Sequence, residues 1–275
     1  MASITYELKD TLLKVEHVSV SFGTEIVLRD VNLEIKDLVR PDVNQGQVVG
    51  LLGPSGIGKT TLFRVLAGLD TPTSGSVLIE KEGIPVRKGM VGVVAQNYPL
   101  FAHRTVLGNL RIAGDHSGQG GAAVKQKALD LLDRFGLSAQ ATKYPSQLSG
   151  GQRQRVSIAQ QFMCSEHFLL MDEPFSGLDL IAQENACEFI REMARTDELK
   201  TFILVTHDIR AACAVADTIW LLGRDRDAAG NVIPGSRIQA SYNLVDRGIA
   251  WRPNVTELPE FAALLREIRA IFPRL

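Results

Sequence analysis

Apolar and polar positions alternate along KVEHVSVSFG (residues 14–23), which predicts a half-buried strand, and VLRDVNLEI (27–35) reads as its hairpin partner. QVVGLLG (47–53) has almost no polar face and predicts a strand buried on both sides, followed by a glycine turn and the helix KTTLFRVLAGL. TPTSGSVLIE (71–80) and MVGVVAQ (90–96) add two strands, the second ending at Gln96. FLLMD (168–172) and TFILVTH (201–207) are apolar runs ending in polar residues, as expected of parallel strands whose carboxyl ends line a ligand crevice. Between Tyr98 and Ser157 the period becomes helical, in TVLGNLRIA, AAVKQKALDLLDRFGL and GGQRQRVSIAQQF. The intervening GDHSGQGG (114–121) reads as a flexible connector.

The organisation that follows is a discontinuous core over residues 1–97 and 158–245, a helical subdomain over 98–157, and a helical tail over 246–275. In that tail, ELPEFAALLREIRAIFPRL places Phe261, Leu264, Leu265, Ile268 and Phe272 on one face, suited to packing; a membrane-surface helix would carry more Lys and Arg. The stretches DLVRPDVNQG (37–46) and GRDRDAAGNVIPG (223–235) are expected to form an extended surface loop and a lengthened hairpin.

The chain has 275 residues, 45% apolar and 22% charged, enough to bury a sizeable core. A formal net charge of -1 gives no electrostatic reason to expect a nucleic-acid partner. No apolar run reaches the ~18 residues that span a bilayer. The opening MASITYELKD lacks a basic segment followed by an apolar stretch, so no secretory signal is expected. Cys164, Cys187 and Cys213 have no C-x-x-C spacing and are expected to be reduced core residues.

GPSGIGKT (53–60) fits the pattern G-x-x-x-x-G-K-[ST], in which a glycine turn frees backbone N–H groups to surround phosphates. Gly53, Pro54, Ser55, Gly56, Ile57 and Gly58 form the turn, and the N–H groups from Gly56 to Thr60 are the expected cradle. Lys59 is placed to reach the β- and γ-phosphates, Thr60 to give its hydroxyl to Mg²⁺, and Thr61 to reach the α-phosphate. Asp172 ends an apolar strand and is expected to hold Mg²⁺. Glu173 follows it, facing another way, and is expected to orient or deprotonate water.

Two further segments stand in fixed order after this loop: LSGGQ (148–152) and FLLMDE (168–173). With GPSGIGKT they resemble the ATP-binding subunit of ATP-binding-cassette (ABC) transporters, over roughly residues 12–225. The resemblance implies an α/β fold: a P-loop NTPase core with a mixed sheet, an N-terminal antiparallel β subdomain and an inserted α-helical subdomain. It implies ATP and Mg²⁺ as cofactors. Gln96 then resembles the glutamine that touches metal or attacking water, and His207 the histidine that hydrogen-bonds the γ-phosphate. Ser149, Gly150, Gly151 and Gln152 open a second helix, whose N–H groups suit another phosphate; in the family, two copies pair head to tail and each caps the other's ATP. Asp179, within SGLD (176–179), resembles the loop joining the two sites. Phe22 resembles the residue stacking on adenine, with Tyr6 and Tyr98 as alternatives.

The implied function is an ATPase that powers a membrane permease through ATP-driven dimer closure. The stretch YPLFAHRTVLGNL (98–110) resembles importers, and the tail resembles nitrate, sulfonate and taurine importer subunits. The expected partners are a second ATP-binding subunit, integral membrane permease subunits and an extracytoplasmic solute-binding protein, with the chain on the cytoplasmic face. The alternative is a soluble ABC ATPase acting on ribosomes, nucleic acid or protein assembly. Gln160 and Gln161 depart from the family, whose members often carry arginine after the alanine.

Overall fold

The computed structural model describes residues 5–41, 45–79, 82–115, 121–164, 167–196 and 201–275. Among the described residues, ten strands form one sheet in the order β5-β4-β1-β2-β10-β9-β3-β8-β7-β6. One half is the antiparallel hairpin of β1 (Glu7–Phe22) and β2 (Glu25–Val39), extended by β4 (Ser74–Ile79) and β5 (Ile84–Pro85). The other half is parallel: β9 (Thr218–Arg226), β3 (Gln47–Leu52), β8 (Thr201–Thr206), β7 (Phe168–Asp172) and β6 (Gly92–Val94). The hairpin partner of β9, β10 (Val232–Asn243), joins the halves by a short parallel contact with β2.

The interiors of the central strands are apolar because both faces are covered, with the buried polar residues Gln47, Thr201 and Thr206 at strand ends. On β3, Val48 and Leu52 join one core while Val49 and Leu51 join the other; on β8, Phe202 and Leu204 oppose Ile203 and Val205 in the same way. One core holds α1 (Lys59–Leu66) between the two halves of the sheet. The other takes in α2 (Val106–Asp115), α3 (Gly121–Arg134) and α4 (Gly150–Phe162), together with α5 (Leu180–Thr196), α6 (Ile209–Val215) and α7 (Pro259–Ile271). Helices α2 to α4 pack on one another and α4 reaches the short edge strand β6, whose Val93 N–H donates to the Gln161 side chain at 3.1 Å. A glutamine at this position therefore closes a strand edge.

Several expectations shift. The stretch expected as a surface loop, 37–46, is partly built in: β2 continues through Val39 because its register against β1 persists (Leu8 opposite Leu38), and Gln45 and Gly46 are buried, while 42–44 lie outside the described residues. Strand β6 ends at Val94, leaving Gln96 in a turn two residues on. Gly114 and Asp115 close α2 and Gly121 opens α3, while 116–120 of the expected connector lie outside the described residues. Cys164 is exposed just past α4, so it is not a core residue; Cys187 and Cys213 are buried, and burial pushes both thiols up to about 12. Helix α4 runs without a break across the expected division at 157/158. In the tail, Phe261, Leu264, Leu265 and Ile268 are buried against the core, and Phe272 is partly buried in a following 3₁₀ turn.

The start of β3 is tied to the tail by Asp217. Its carboxylate accepts the Val48 N–H at 2.7 Å and the Trp251 side chain, whose ring also lies under Arg40 at 4.8 Å. Complete burial raises this carboxyl from 3.8 to about 7, against the pull of its donors and Arg40. The unfolded chain thus ionises first, and folding stability falls as pH rises from about 4 to about 7. We expect urea denaturation to show this loss, by up to roughly 4 kcal/mol at 1.36 kcal/mol per unit, and expect Asp217→Asn to flatten it. A wild-type slope no steeper than the variant's would contradict the assignment.

Candidate functional site

The turn between β3 and α1 is shaped by what its glycines touch. A side chain at Gly53 would meet the Leu222 carbonyl at 2.8 Å, and Gly58, at φ 99°, caps α1 in a left-handed conformation with Val27 of the β1–β2 hairpin alongside. Gly56 is left-handed too, with open space where a Cβ would stand, so the loop's outer surface is clear for a ligand. Ile57 is buried and anchors the loop, while Ser55, Gly56 and Thr60 are exposed. Lys59 is only 8% exposed, and its ammonium donates to the carbonyls of Gly53 and Pro54 at 2.9 and 3.0 Å. Burial lowers its pKa, opposed by Glu173 and Asp172.

Those two carboxylates stand at the end of β7, beside β3's other neighbour β8. Asp172 is half-buried, and burial followed by the charge of Glu173 raises its pKa, with Lys59 opposing. Glu173 leaves the strand in a left-handed conformation (φ 48°), pinned by its N–H donating to Val205 O at 2.8 Å. That turn separates the directions of two adjacent carboxylates. One oxygen of Glu173 accepts the Thr206 hydroxyl at 2.8 Å; the other lies 2.9 Å from His207 Nδ1 and 4.0 Å from Lys59 Nζ. Lys59, Asp172, Glu173 and His207 are therefore brought together. Gln96 is linked to the same region through Ser176, its amide donating to that hydroxyl at 3.2 Å.

The oxygen donors are hard and few: the Thr60 hydroxyl, the Asp172 carboxylate and the Gln96 carbonyl. Among the described residues no group of three or more His, Cys, Asp or Glu is placed to hold a metal ion. Such a set fits Mg²⁺, which keeps waters and takes one or two carboxylates plus substrate phosphates.

Ser149 caps α4: its hydroxyl accepts the Gln152 N–H at 3.3 Å while the Gln152 side chain accepts the Ser149 N–H at 3.0 Å. Gly150 and Gly151 are exposed with nothing within 4 Å of an added Cβ. Asp179 likewise caps a helix, taking the Ala182 N–H at 2.8 Å.

A profile of the family described as "ABC transporter" matches residues 37–176. The sulfate/thiosulfate import ATP-binding protein CysA of Pseudomonas aeruginosa is 38% identical over 77% of this chain and 64% of its own length. The chain belongs to the ABC transporter family. The CysA protein of Escherichia coli is also 38% identical, over 77% of this chain and 58% of its own. The chain thus spans roughly three fifths of these curated relatives. Among solved structures, a dimeric bacterial ABC transporter cassette aligns with TM-score 0.65 and 27% identity over 85% of this chain and 99% of that one. The Clostridium perfringens protein cbiO1, part of an ABC transporter complex, shares the fold at TM-score 0.72 and 24% identity, with 97% of each chain covered. The architecture is the P-loop NTPase fold of ABC cassettes.

In this cassette Phe22 is 60% exposed at the tip of the β1–β2 hairpin, whose Val27 touches the phosphate loop. The alternatives are engaged elsewhere. Tyr6 stacks edge-on with Trp251 and donates to Asp246 at 2.7 Å; Tyr98 is largely buried, its hydroxyl donating to Pro174 O at 2.9 Å. Three residues with a visible part in the cassette were not singled out from sequence for those roles: Thr206, Tyr98 and Gln154. Tyr98 and Gln154 both donate to the Pro174 carbonyl, the second at 3.1 Å, tying the helical region to the segment just after Glu173. A threonine just before a strand-end histidine was the one available signal.

Proposed function

We propose that this chain is the ATP-binding and ATP-hydrolysing subunit of a membrane importer for a small solute, working as a pair of cassettes. The observation that carries the reading is the convergence of Lys59, Asp172, Glu173 and His207 around the phosphate loop. Phosphoryl transfer to water asks mainly for positioning and charge neutralisation. Backbone N–H groups of Gly56 to Thr60 and the start of α1 hold the phosphate oxygens, and Lys59 exchanges its carbonyl partners for the terminal ones. Thr60, Asp172 and the Gln96 carbonyl would hold Mg²⁺, which would supply charge neutralisation for the phosphates. Glu173, steadied by Thr206 and His207, takes the proton of the attacking water. Phe22 lies against adenine.

The second cassette supplies Ser149, Gly150, Gly151 and Gln152 to the far side of the nucleotide, and Asp179 lies between the two sites. Closure and reopening of the pair move permease subunits, with a solute-binding protein delivering cargo outside. Among the described residues no helix is long and apolar enough to cross a membrane. In the proposed arrangement separate subunits supply the pore and the chain sits on its cytoplasmic side. The relatives' names speak of sulfate and thiosulfate import, and uptake of a solute of that kind is the reading adopted here. A tagged full-length chain purified from gently solubilised membranes of its host is expected to bring down a multi-span membrane protein. Recovery of ribosomal or DNA-bound partners in its place would overturn the transport reading in favour of the soluble alternative.

A further inference from the structure

Away from the phosphate loop, a cleft of about 580 Å³ opens between α5, α6 and the segment leading to α7. Its size suits a small molecule. Four guanidinium groups line it from three separate elements: Arg191 and Arg195 of α5, Arg210 of α6 and Arg252 of the segment before α7. The cleft also holds Glu184, Glu188 and Glu257, but Glu188 is engaged by Arg191.

Two more observations single the cleft out. Trp251 and Asn254, in the segment forming its wall, are both left-handed non-glycine residues (φ 63° and 49°), a conformation retained where surrounding structure over-determines it and concentrated at ligand clamps. Arg191, Arg195 and Arg252 also line a small adjoining cavity of about 30 Å³ that reaches Asp217. Three of the four arginines therefore stand where the cleft adjoins the buried link between tail and β3, and Arg210 faces them from α6 across the cleft. Nothing in the nucleotide reading uses these arginines.

We propose that this cleft binds a small oxyanion-bearing molecule, a sulfate, phosphate or carboxylate held at its arginine end, as a second site separate from the nucleotide. Guanidinium forks match the paired oxygens of such groups, which a chloride cannot offer. The test is calorimetric titration of the full-length chain, without nucleotide and at constant ionic strength in chloride, with sulfate, inorganic phosphate and succinate in turn. Because the phosphate loop also attracts anions, the same titrations are run on Lys59→Ala. Saturable binding is expected with at least one probe, surviving in Lys59→Ala and weakened about tenfold or more by Arg195→Ala with Arg210→Ala, both on exposed side chains. Arg195→Lys with Arg210→Lys, which keeps charge but loses the fork, should weaken it less. The proposal is overturned if no probe binds saturably, if binding vanishes in Lys59→Ala, or if the paired alanines leave affinity unchanged. None of these outcomes depends on ATP hydrolysis, so the cassette reading stands or falls separately.

Discussion

Glu173→Gln is expected to lower ATP turnover by about 10²- to 10⁴-fold, the span usually supplied by a positioned general base, while leaving ATP affinity nearly unchanged. The reason is local. Glutamine has the same shape and can still accept the Thr206 hydroxyl, so the left-handed turn after β7 and the neighbouring Asp172 should keep their places. What it cannot do is take a proton or present negative charge to Lys59, 4.0 Å away, and His207, 2.9 Å away. Hydrolysis that reopens the pair would stall, and the variant should accumulate as an ATP-bound dimer. Steady-state phosphate release and size-exclusion chromatography with Mg-ATP check the two halves. Full turnover in the variant would remove Glu173 from the role of base.

What could be read from the chain, and what could not, divides along a physical line. Strands β3, β7 and β8 are legible because their interiors are apolar where both faces are buried, and because polar residues stand only at their ends, at Gln47, Asp172, Thr201 and Thr206, with His207 following β8. The capping box at Ser149 and Gln152 is written in four consecutive residues, and the glycine turn before Lys59 in six. Strand β9 is harder. Its interior, from Ile219 to Gly223, is buried, but it runs out into alternating charges at Arg224, Asp225 and Arg226, which read as a loop until Arg237 is placed opposite to pair with Asp225. The polar run around Arg40 and Gln45 misleads for a related reason: its burial depends on Asp217 and Trp251, some two hundred residues further along, which share its cavity. Nor does sequence expose Glu173's backbone twist, or the convergence of Tyr98 and Gln154 on one carbonyl; both are products of the assembled sheet and helices.

The same long-range ties indicate how the parts of one cassette move as a unit. The phosphate loop hangs from β3, whose Val48 is fixed through Asp217 to the tail residue Trp251, while the Pro174 carbonyl next to Glu173 is fixed to the helical region by Tyr98 and Gln154. Leu275 adds to this frame: its carbonyl accepts the Arg224 N–H at 2.9 Å, and its side chain packs where Gly223 leaves no room for a Cβ. The tail is thus built into the core's far side and steadies the strand that presents the loop. A rigid mount on one side and a helical region gripping the catalytic segment on the other suit a machine in which nucleotide events are felt by distant surfaces.

Ser149→Arg carries the other large expectation, because in the proposed head-to-tail pair the α4 N-terminus meets the nucleotide held by the partner's phosphate loop. The cap consumes the Ser149 and Gln152 side chains, and Gly150 and Gly151 leave their faces bare, a surface into which a partner's phosphates can come close. An arginine at the cap position costs about 1 kcal/mol of helix stability, too little to unfold α4 in its packed setting, but it fills the approach. ATPase activity should fall about a hundredfold, with ATP binding to the single cassette retained, and Glu173→Gln carrying this second change should no longer form the ATP-bound dimer. A head-to-tail pair makes one further demand. Mixing Ser149→Arg with Lys59→Ala, each nearly inactive alone, gives mixed pairs in which one site combines the intact lysine of the first with the intact serine of the second; measurable activity should return, up to about a quarter of wild type, the share of intact sites at equal proportions. If the serine acted within its own subunit, every site in such a mixture would still lack one of the two groups, and no activity would return.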